Sequence, residues 1–490
     1  MSILDKALAA IAPGVAAKRM ASKAVVKAYE AADASRLHKA KGESKSADLA
    51  TAIAGKSLRE QARWLDENHD LVIGLLDRLE ERVVGAAGIG VEPLPLNKQG
   101  EVMTELSAQI KRLWGEWSLN PETSTELTRP QMERLCCRTW LRDGEVLAQL
   151  IQGAVPYYKY ATPVPFALEL LEPDYLPLDL RDPKRGIFSG IERNAWRKPV
   201  AYHLFKHHPG DMEHLWQDTK RVPAENIIHL AHRKRLGQSR GITILHGVIR
   251  RLADLKDYEE SERVAARISA ALAMVIRKGT PDMYVAGDEQ QRTIPIAPGA
   301  VFDGLQPGED VEMIESNRPN PLLEGFREAM LRAVASGTRS SHSTVSRNYN
   351  GTFSAQRQEL VEAQLGYDLL QREFIDGWSR KVYRRWLAMA VASGQIRLPR
   401  ELDQKTLSNA VYLGPVMPWI DPAKEAKAWK ELVDSGFADE AEVARARGRD
   451  PQELKTSRIA EIKRNREEGL VFSTDSYHRF YGDSQNDDQQ

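Results

Sequence analysis

Between Leu58 and Val84 the apolar residues Trp64, Leu65, Leu71, Val72, Leu75, Leu76, Leu79 and Val83 return every three or four positions. That period predicts helix, with Asn68 as a cap or break between two pieces and Gly85, Gly88 and Gly90 as its end. Two more helical blocks follow, Val102 to Trp117 and Arg129 to Arg142. Glu145 to Ile151 and Phe166 to Leu171 then read as short strands, with turns around Pro156, Pro163 and Pro173. Residues 190 to 205 predict two strands joined at Arg197-Lys198-Pro199, with Pro209-Gly210-Asp211 closing the second, and Ile227 to Leu230 predicts another strand. The chain to about Ile228 is therefore mixed α and β.

The pattern then lengthens. Leu245, Val248, Ile249, Leu252, Leu255, Val264, Ile268, Leu272 and Val275 predict one helix from Ile242 to Arg277, about 50 Å long. Gly279-Thr280-Pro281 stops it, and the Pro- and Gly-rich residues 281 to 319 read as a compact insertion with short β-like pieces. Asn320-Pro321, a cap followed by proline, restarts a helix that runs to Ser336. Residues 338 to 351 are polar apart from Val345 and Tyr349, a composition that excludes them from a core. From Phe353 to Val391 a second long helix is patterned by Leu365, Leu369, Leu370, Phe374, Trp378, Val382 and Trp386. Gly366 and Gly377 each weaken it by about 1 kcal/mol and permit a bend. The first forty or so residues, rich in Ala and Lys, read as a mobile arm, and the polar stretch from Asp483 reads as a disordered tail. No internal repeat is present.

Composition narrows the class more than it names the partner. The 490 residues are 42% hydrophobic and 28% charged, as in an ordinary globular chain of two or three domains. Lys plus Arg and Asp plus Glu are both 69, so no global basicity advertises nucleic acid. Locally, Arg233, Lys234, Arg235, Arg240, Arg250, Arg251 and Lys256 face Asp254 alone, which predicts a basic patch. Asp303, Glu309, Asp310, Glu312 and Glu315 form an acidic group with no base between 301 and 315. The two cysteines, Cys136 and Cys137, are adjacent, which excludes a disulfide framework and fits a reducing cytosol. The longest apolar run, Ile268 to Ile276, is about half of what a membrane span requires. Asp5, Pro13, Gly14, Lys18 and Arg19 spoil the Ala7 to Ala17 stretch as a signal-peptide core.

Catalytic signatures fail one after another. Ala54-Gly55-Lys56-Ser57 resembles the end of a phosphate loop, but Ala50 stands where the first glycine belongs. Gly88-Ile89-Gly90 meets Pro93 at the third glycine of a dinucleotide fingerprint. His229 and His232 could bring two imidazoles together, yet the metalloprotease spacing is absent and structural histidines are the better reading. Ser341-His342 has no positioned acid or oxyanion hole. The acidic group could take Mg²⁺, but solvated carboxylates in such an insertion more often form plain surface. No cofactor is indicated. A helical adaptor without a channel, or a DNA-processing enzyme, are the readings left from the residues alone.

Several short motifs then point one way. They are Arg63-Trp-Leu-Asp-Glu-Asn-His69, Val83-Val-Gly-Ala-Ala-Gly-Ile-Gly-Val91, Arg142-Asp-Gly-Glu145, Leu170-Leu-Glu-Pro-Asp174 and Ile227-Ile-His-Leu230. Gly237-Gln-Ser-Arg-Gly241, Pro307-Gly-Glu309, Tyr349-Asn-Gly-Thr-Phe-Ser-Ala-Gln-Arg357 and Trp419-Ile-Asp-Pro-Ala-Lys-Glu425 follow in order. In that order the chain, from about Tyr29 to Glu468, resembles the lambda-type family of tailed-bacteriophage portal proteins. One departure is local: the family usually has a tyrosine-serine-serine-alanine-arginine run where Phe353 to Arg357 stand.

The resemblance implies an α+β portal fold: a mobile arm (1–45), a mixed α/β wing (46–240), a stem helix (241–277), a small β-containing clip (278–319) and a return stem helix (320–337). A tunnel loop (338–354), a long wing helix (355–394) and a helical crown with its tail (395–490) complete it. It implies a structural role without catalysis, in a homo-oligomeric, typically dodecameric, ring at one capsid vertex of the virion, made in the host cytoplasm. Double-stranded DNA would pass through non-specifically, facing Arg339, Ser340, Ser341, His342, Ser343, Thr344, Ser346, Arg347 and Asn348. The clip acids Asp303, Glu309, Asp310, Glu312 and Glu315 would meet the terminase large subunit and then head-tail connector proteins. Major capsid and scaffold proteins would be further partners, with no membrane involved.

Overall fold

The computed structural model describes residues 12–15, 17–18, 42–211, 218–271, 275–278, 309–312, 322–417, 421–470 and 472. Residues 1–50 and 51–490 form separate compact units. Most of the predicted arm, Asp303, Glu315, the Asn320-Pro321 restart and the predicted tail lie outside the described residues.

The helical pattern before residue 90 resolves into α1 (Ala47–Asn68) and α2 (Asp70–Val83), broken next to Asn68 as its sequence suggests. β1 (Gly90–Pro93) leads to α3 (Thr104–Trp117) and α4 (Arg129–Asp143). Thr128 and Gln131 form a reciprocal capping box at the start of α4, and Gly144 ends it in the left-handed region. β2 (Glu145–Gln152) is the centre of a three-stranded antiparallel sheet, flanked by β3 (Phe166–Leu171) and, later in the chain, by Ile227–Ala231. Between these lies a five-stranded antiparallel meander: β4 (Arg181–Asp182), β5 (Ile187–Phe188), β6 (Ile191–Arg193), β7 (Pro199–Phe205) and β8 (Thr219–Pro223). Ile227–Ala231 is β9.

The predicted helix over 242–277 is shorter and interrupted. A 3₁₀ turn at Ile244–Gly247 precedes α5 (Ile249–Ala271), about 35 Å long, and Val275–Lys278 is a strand, β10. β10 pairs antiparallel with β11 (Glu309–Glu312), so β-branched Val275 and Ile276 go to a ladder rather than to the helical period. That register sets Glu309 opposite Lys278 and Asp310 opposite Arg277.

α6 (Leu323–Thr338) lies against α5, tied by Arg327 Nε to Glu259 Oε1 at 2.7 Å and by the edge-to-face Tyr258–Phe326 pair. A short helix, α7 (His342–Ser346), precedes α8 (Phe353–Phe374). α8 continues through a π-turn at Ile375–Ser379 into α9 (Arg380–Ala392). At Gly377, where the sequence permits a bend, the helix takes this π-turn, and Leu230 of β9 approaches so closely that an added Cβ would lie 2.4 Å from its Cδ1. β12 (Ala410–Leu413) returns to pair with β1, and α10 (Pro422–Asp434), α11 (Glu440–Ala446) and α12 (Pro451–Glu467) follow.

One core joins α2, α3, α4, the central sheet and the α8–α9 rod. Its largest side chains are aromatic: Trp117, Trp140, Trp378, Trp386, Phe166 and Phe374 are fully buried, each contributing on the order of 2–3 kcal/mol. Trp114 stacks on Trp117 and meets Trp386 and Tyr383 edge-on, which locks α3 against α9. Cys136 and Cys137 sit in this core as free thiols. No described helix is long and apolar enough to cross a membrane.

Candidate functional site

The segment after α6 departs from the expected solvated loop. Thr338, Ser341, Ser343 and Val345 are buried, and α7 packs against α2 and α6. Small hydroxyl side chains can enter a core when they satisfy the backbone locally, and these do so. Thr338 Oγ1 donates to Val334 O (2.8 Å), Ser346 Oγ donates to His342 O (2.8 Å), and Ser341 Oγ caps α7 by accepting from Thr344 N. The Ser343 backbone N–H donates to Glu359 Oε1 at 2.9 Å, fastening the segment to α8. Asn348 Nδ2 donates to Glu328 Oε1 of α6 at 3.2 Å. The expectation that 338–351 cannot be core is thus corrected: Ser341 and Ser343 are interior, and within the subunit the exposed part begins at Arg347 and continues through Tyr349 and Asn350.

The two arginines expected here differ. Both adopt positive φ, 58° at Arg339 and 57° at Arg347, and each ends a helix. Arg347 is exposed and has no ion-pair partner among the described residues. Arg339 instead turns to Glu373, with Nη1 3.7 Å from Oε1. His232 approaches the same carboxylate at 3.7 Å. These neighbours and Lys234 hold the Glu373 carboxyl below its ordinary value. Burial, and then Arg339, push the Lys234 ammonium down. Among the described residues no hydrogen bond reaches either ring nitrogen of the buried His232, nor Arg339 Nη1.

A second charged assembly went unrecognised as such in the sequence, although its parts are the motifs themselves. Glu145, fully buried, accepts from Arg240 Nε (2.9 Å) and Nη2 (2.6 Å), His229 Nε2 (3.0 Å), Arg59 Nη2 (3.4 Å) and the Gly241 backbone N–H (2.8 Å). Burial alone would raise its pKa, but Arg240 and His229 hold it well below the carboxylate range. Arg240 spends its remaining donors on the carbonyls of Pro173, Leu176 and Ser189. The predicted basic patch is therefore smaller than its count, because Arg240 is interior. Alongside, Arg63 binds Asp143 and Asp174, and Arg138 binds Asp66 through two nitrogens. Gly144 and Gly241 allow the strands to close: a Cβ on Gly144 would lie 2.3 Å from the Ile242 carbonyl carbon, and its φ of 90° suits glycine. The signal that could have found this cluster was charged residues inside otherwise strand-like or helical motifs.

The two histidines expected to converge belong to different assemblies. His229 and His232 do not converge, since one meets Glu145 and the other Glu373. Glu172, Asp174 and His208 could together reach an ion, but Arg59 and Arg63 already lie on the two carboxylates. Of the five acids expected between 301 and 315, Glu309, Asp310 and Glu312 lie on β11.

Comparison with known proteins joins these observations. A probable portal protein of Halomonas phage phiHAP-1 is 23% identical over 432 residues, 85% of this chain and 82% of the relative. Portal protein B of Escherichia phage lambda is 21% identical over 319 residues, 58% of this chain and 60% of that protein. Among solved structures, the neck of the native GTA particle computed with C12 symmetry aligns with 82% of this chain and 99% of that one, at 12% identity and a TM-score of 0.45. An HK97-family phage portal protein from Corynebacterium diphtheriae aligns with 65% of this chain and 85% of that one, at 13% identity and a TM-score of 0.28. The family described as phage portal protein, lambda family, matches residues 33–371, a span that takes in the whole Glu145 network and ends two residues before Glu373. With most of its length inside that match, this chain belongs to the lambda family of phage portal proteins.

Proposed function

We propose that this chain is the subunit of a homo-oligomeric, dodecameric ring at one vertex of a phage capsid, through which double-stranded DNA enters and leaves. The observation that carries this reading is the family match over residues 33–371. In this reading 46–240 is the wing, 241–277 and 320–337 the stem, 278–319 the clip, 338–354 the tunnel loop, 355–394 the long wing helix and 395–490 the crown. The clip acids would receive the terminase large subunit during packaging and head-tail connector proteins afterwards. ATP hydrolysis would belong to the terminase, and this chain would catalyse nothing.

Within the tunnel loop, residues 347–350 are the proposed DNA-facing part. Arg347 is exposed and without an ion-pair partner among the described residues, and Asn348 and Asn350 beside it are polar. Cyclic symmetry would repeat that single charge as a positive girdle. Contacts with phosphate position DNA without reading its sequence, which suits a duplex that must slide. Arg339, Ser340, His342, Thr344 and Ser346 would support the loop, while the buried Ser341 and Ser343 fix its root.

Electron microscopy of the purified full chain with light scattering tests the reading. Closed rings with an open axis and a mass near that of a dodecamer are the expected result. A chain that stays monomeric when capsid and scaffold proteins are supplied would overturn it in favour of an adaptor without a channel.

A further inference from the structure

A groove of about 850 Å³ runs between the β7–β8 side of the meander and α9. Its floor is apolar: Leu150, Tyr202, Ile227 and Ile228 line it and are buried. Its rims are basic, with Lys198 and Arg221 on the sheet side and Lys381, Arg384 and Arg385 on the helix side; Glu225 is the one acid lining it. Arg221 is answered by Glu192 at 2.8 and 3.0 Å, and Arg385 donates to the Glu225 carbonyl. Lys198, Lys381 and Arg384 have no ion-pair partner among the described residues. Burial and the nearby Arg233 push the Lys381 ammonium down, the condition of a cation drawn out of water without a counter-ion.

An occupant must therefore bring carboxylates or phosphates for the rims and apolar surface for the floor. Duplex DNA supplies phosphates and leaves the recessed floor unused. Residues 475–490, which lie outside the described residues, carry both features: Phe480 and Tyr481 are followed by Asp483, Asp487 and Asp488, with Arg479 as the segment's one Lys or Arg. We propose that this segment docks in the groove, Phe480 and Tyr481 over the Tyr202–Ile227 floor and Asp483, Asp487 and Asp488 against Lys198, Lys381 and Arg384.

Carbodiimide coupling joins a carboxylate directly to a lysine in contact with it, so it tests the contact in the intact chain. Peptide mapping should recover Asp483, Asp487 or Asp488 joined to Lys198 or Lys381, with a yield that falls about tenfold at about 0.5 M salt. The triple substitution D483N/D487N/D488N, which alters no described residue, should abolish these products. Mixing isotopically heavy and light chains separates coupling within a subunit from coupling between copies. Products spread evenly over other lysines, or none at all, would overturn the proposal. So would a K381E/R384E variant of unchanged circular dichroism that loses binding to a short DNA duplex while the triple tail variant retains it, since the groove would then be a nucleic-acid site.

Discussion

Two carboxylates in this subunit are each approached by an arginine and a histidine, and they are finished in opposite ways. At Glu145 the donors of Arg240, Arg59, His229 and Gly241 all lie within 3.4 Å, and the group is fully buried. At Glu373 the Arg339 and His232 nitrogens both stand off at 3.7 Å, and nearly half of the side chain meets solvent. A charge can leave water only when its lone pairs are met, so the first arrangement tolerates full burial and the second does not. The Glu145 network holds secondary elements in one geometry. The looser contact lies at the root of the segment proposed to meet DNA, where small rearrangements cost little.

That contrast can be broken at its tight end first. Replacing Arg240 with Met leaves Glu145 buried without its main counter-charge, and the expected loss is about 3–5 kcal/mol, read as a large fall in the denaturation midpoint or as insoluble protein. Gly144→Ala should cost about 2–3 kcal/mol in the same assay, because the new Cβ strikes the Ile242 backbone and φ is positive. Wild-type-like stability in either variant would show that the network is ornamental.

Acid tests the network without substitution. Burial lowers the pKa of His229, Glu145 opposing, so the folded chain refuses a proton that the unfolded chain accepts below about pH 6.5. Stability is therefore fully present above that value and falls as the pH drops from it toward the folded pKa, by up to about 1.4 kcal/mol per pH unit for this proton. Glu145 adds to the loss only at lower pH, below the ordinary carboxylate value near 4. His229→Gln, which keeps an amide donor for Glu145, should flatten the first part of a midpoint-against-pH curve. An unchanged slope would assign the acid response to other groups.

The loose end should respond least in stability. Glu373→Gln is expected to change it by less than about 1 kcal/mol, since both of its partners are distant. Arg347→Ala should fall within about 0.5 kcal/mol of the parent and still form rings, while packaging or retention of DNA declines. Full-length packaging by R347A rings would remove Arg347 from the proposed DNA contact; adding Arg339→Ala would then test whether the two act together.

Much of this was legible in the chain. The period of Leu71 to Val83 placed α2, the helical block from Arg129 placed α4, and the strand-like runs at Phe166–Leu171 and Ile227–Leu230 placed the outer strands of the central sheet. These are local signals, in which neighbouring residues report on one another's environment. The polar run 338–351 misled because composition measures average solvation, whereas Ser341 and Ser343 reach the interior with local partners: Ser341 Oγ accepts from the Thr344 N–H, the two serine hydroxyls meet, and the Ser343 N–H donates to Glu359. Val275 and Ile276 misled because a partner strand more than thirty residues away overrode the helical period.

The sequence by itself determined the helices, the strands, the glycine-marked breaks and, through its ordered motifs, the family. It also held every member of the Glu145 network, scattered from Arg59 to Gly241, with nothing local to say that they meet. Only the tertiary structure decided that, because an ion pair is recognised by distance and desolvation, and both are properties of the folded chain. The same reason separates Arg240 from Arg347: one guanidinium is interior and answered, the other exposed and open to a partner, and the residue type is identical.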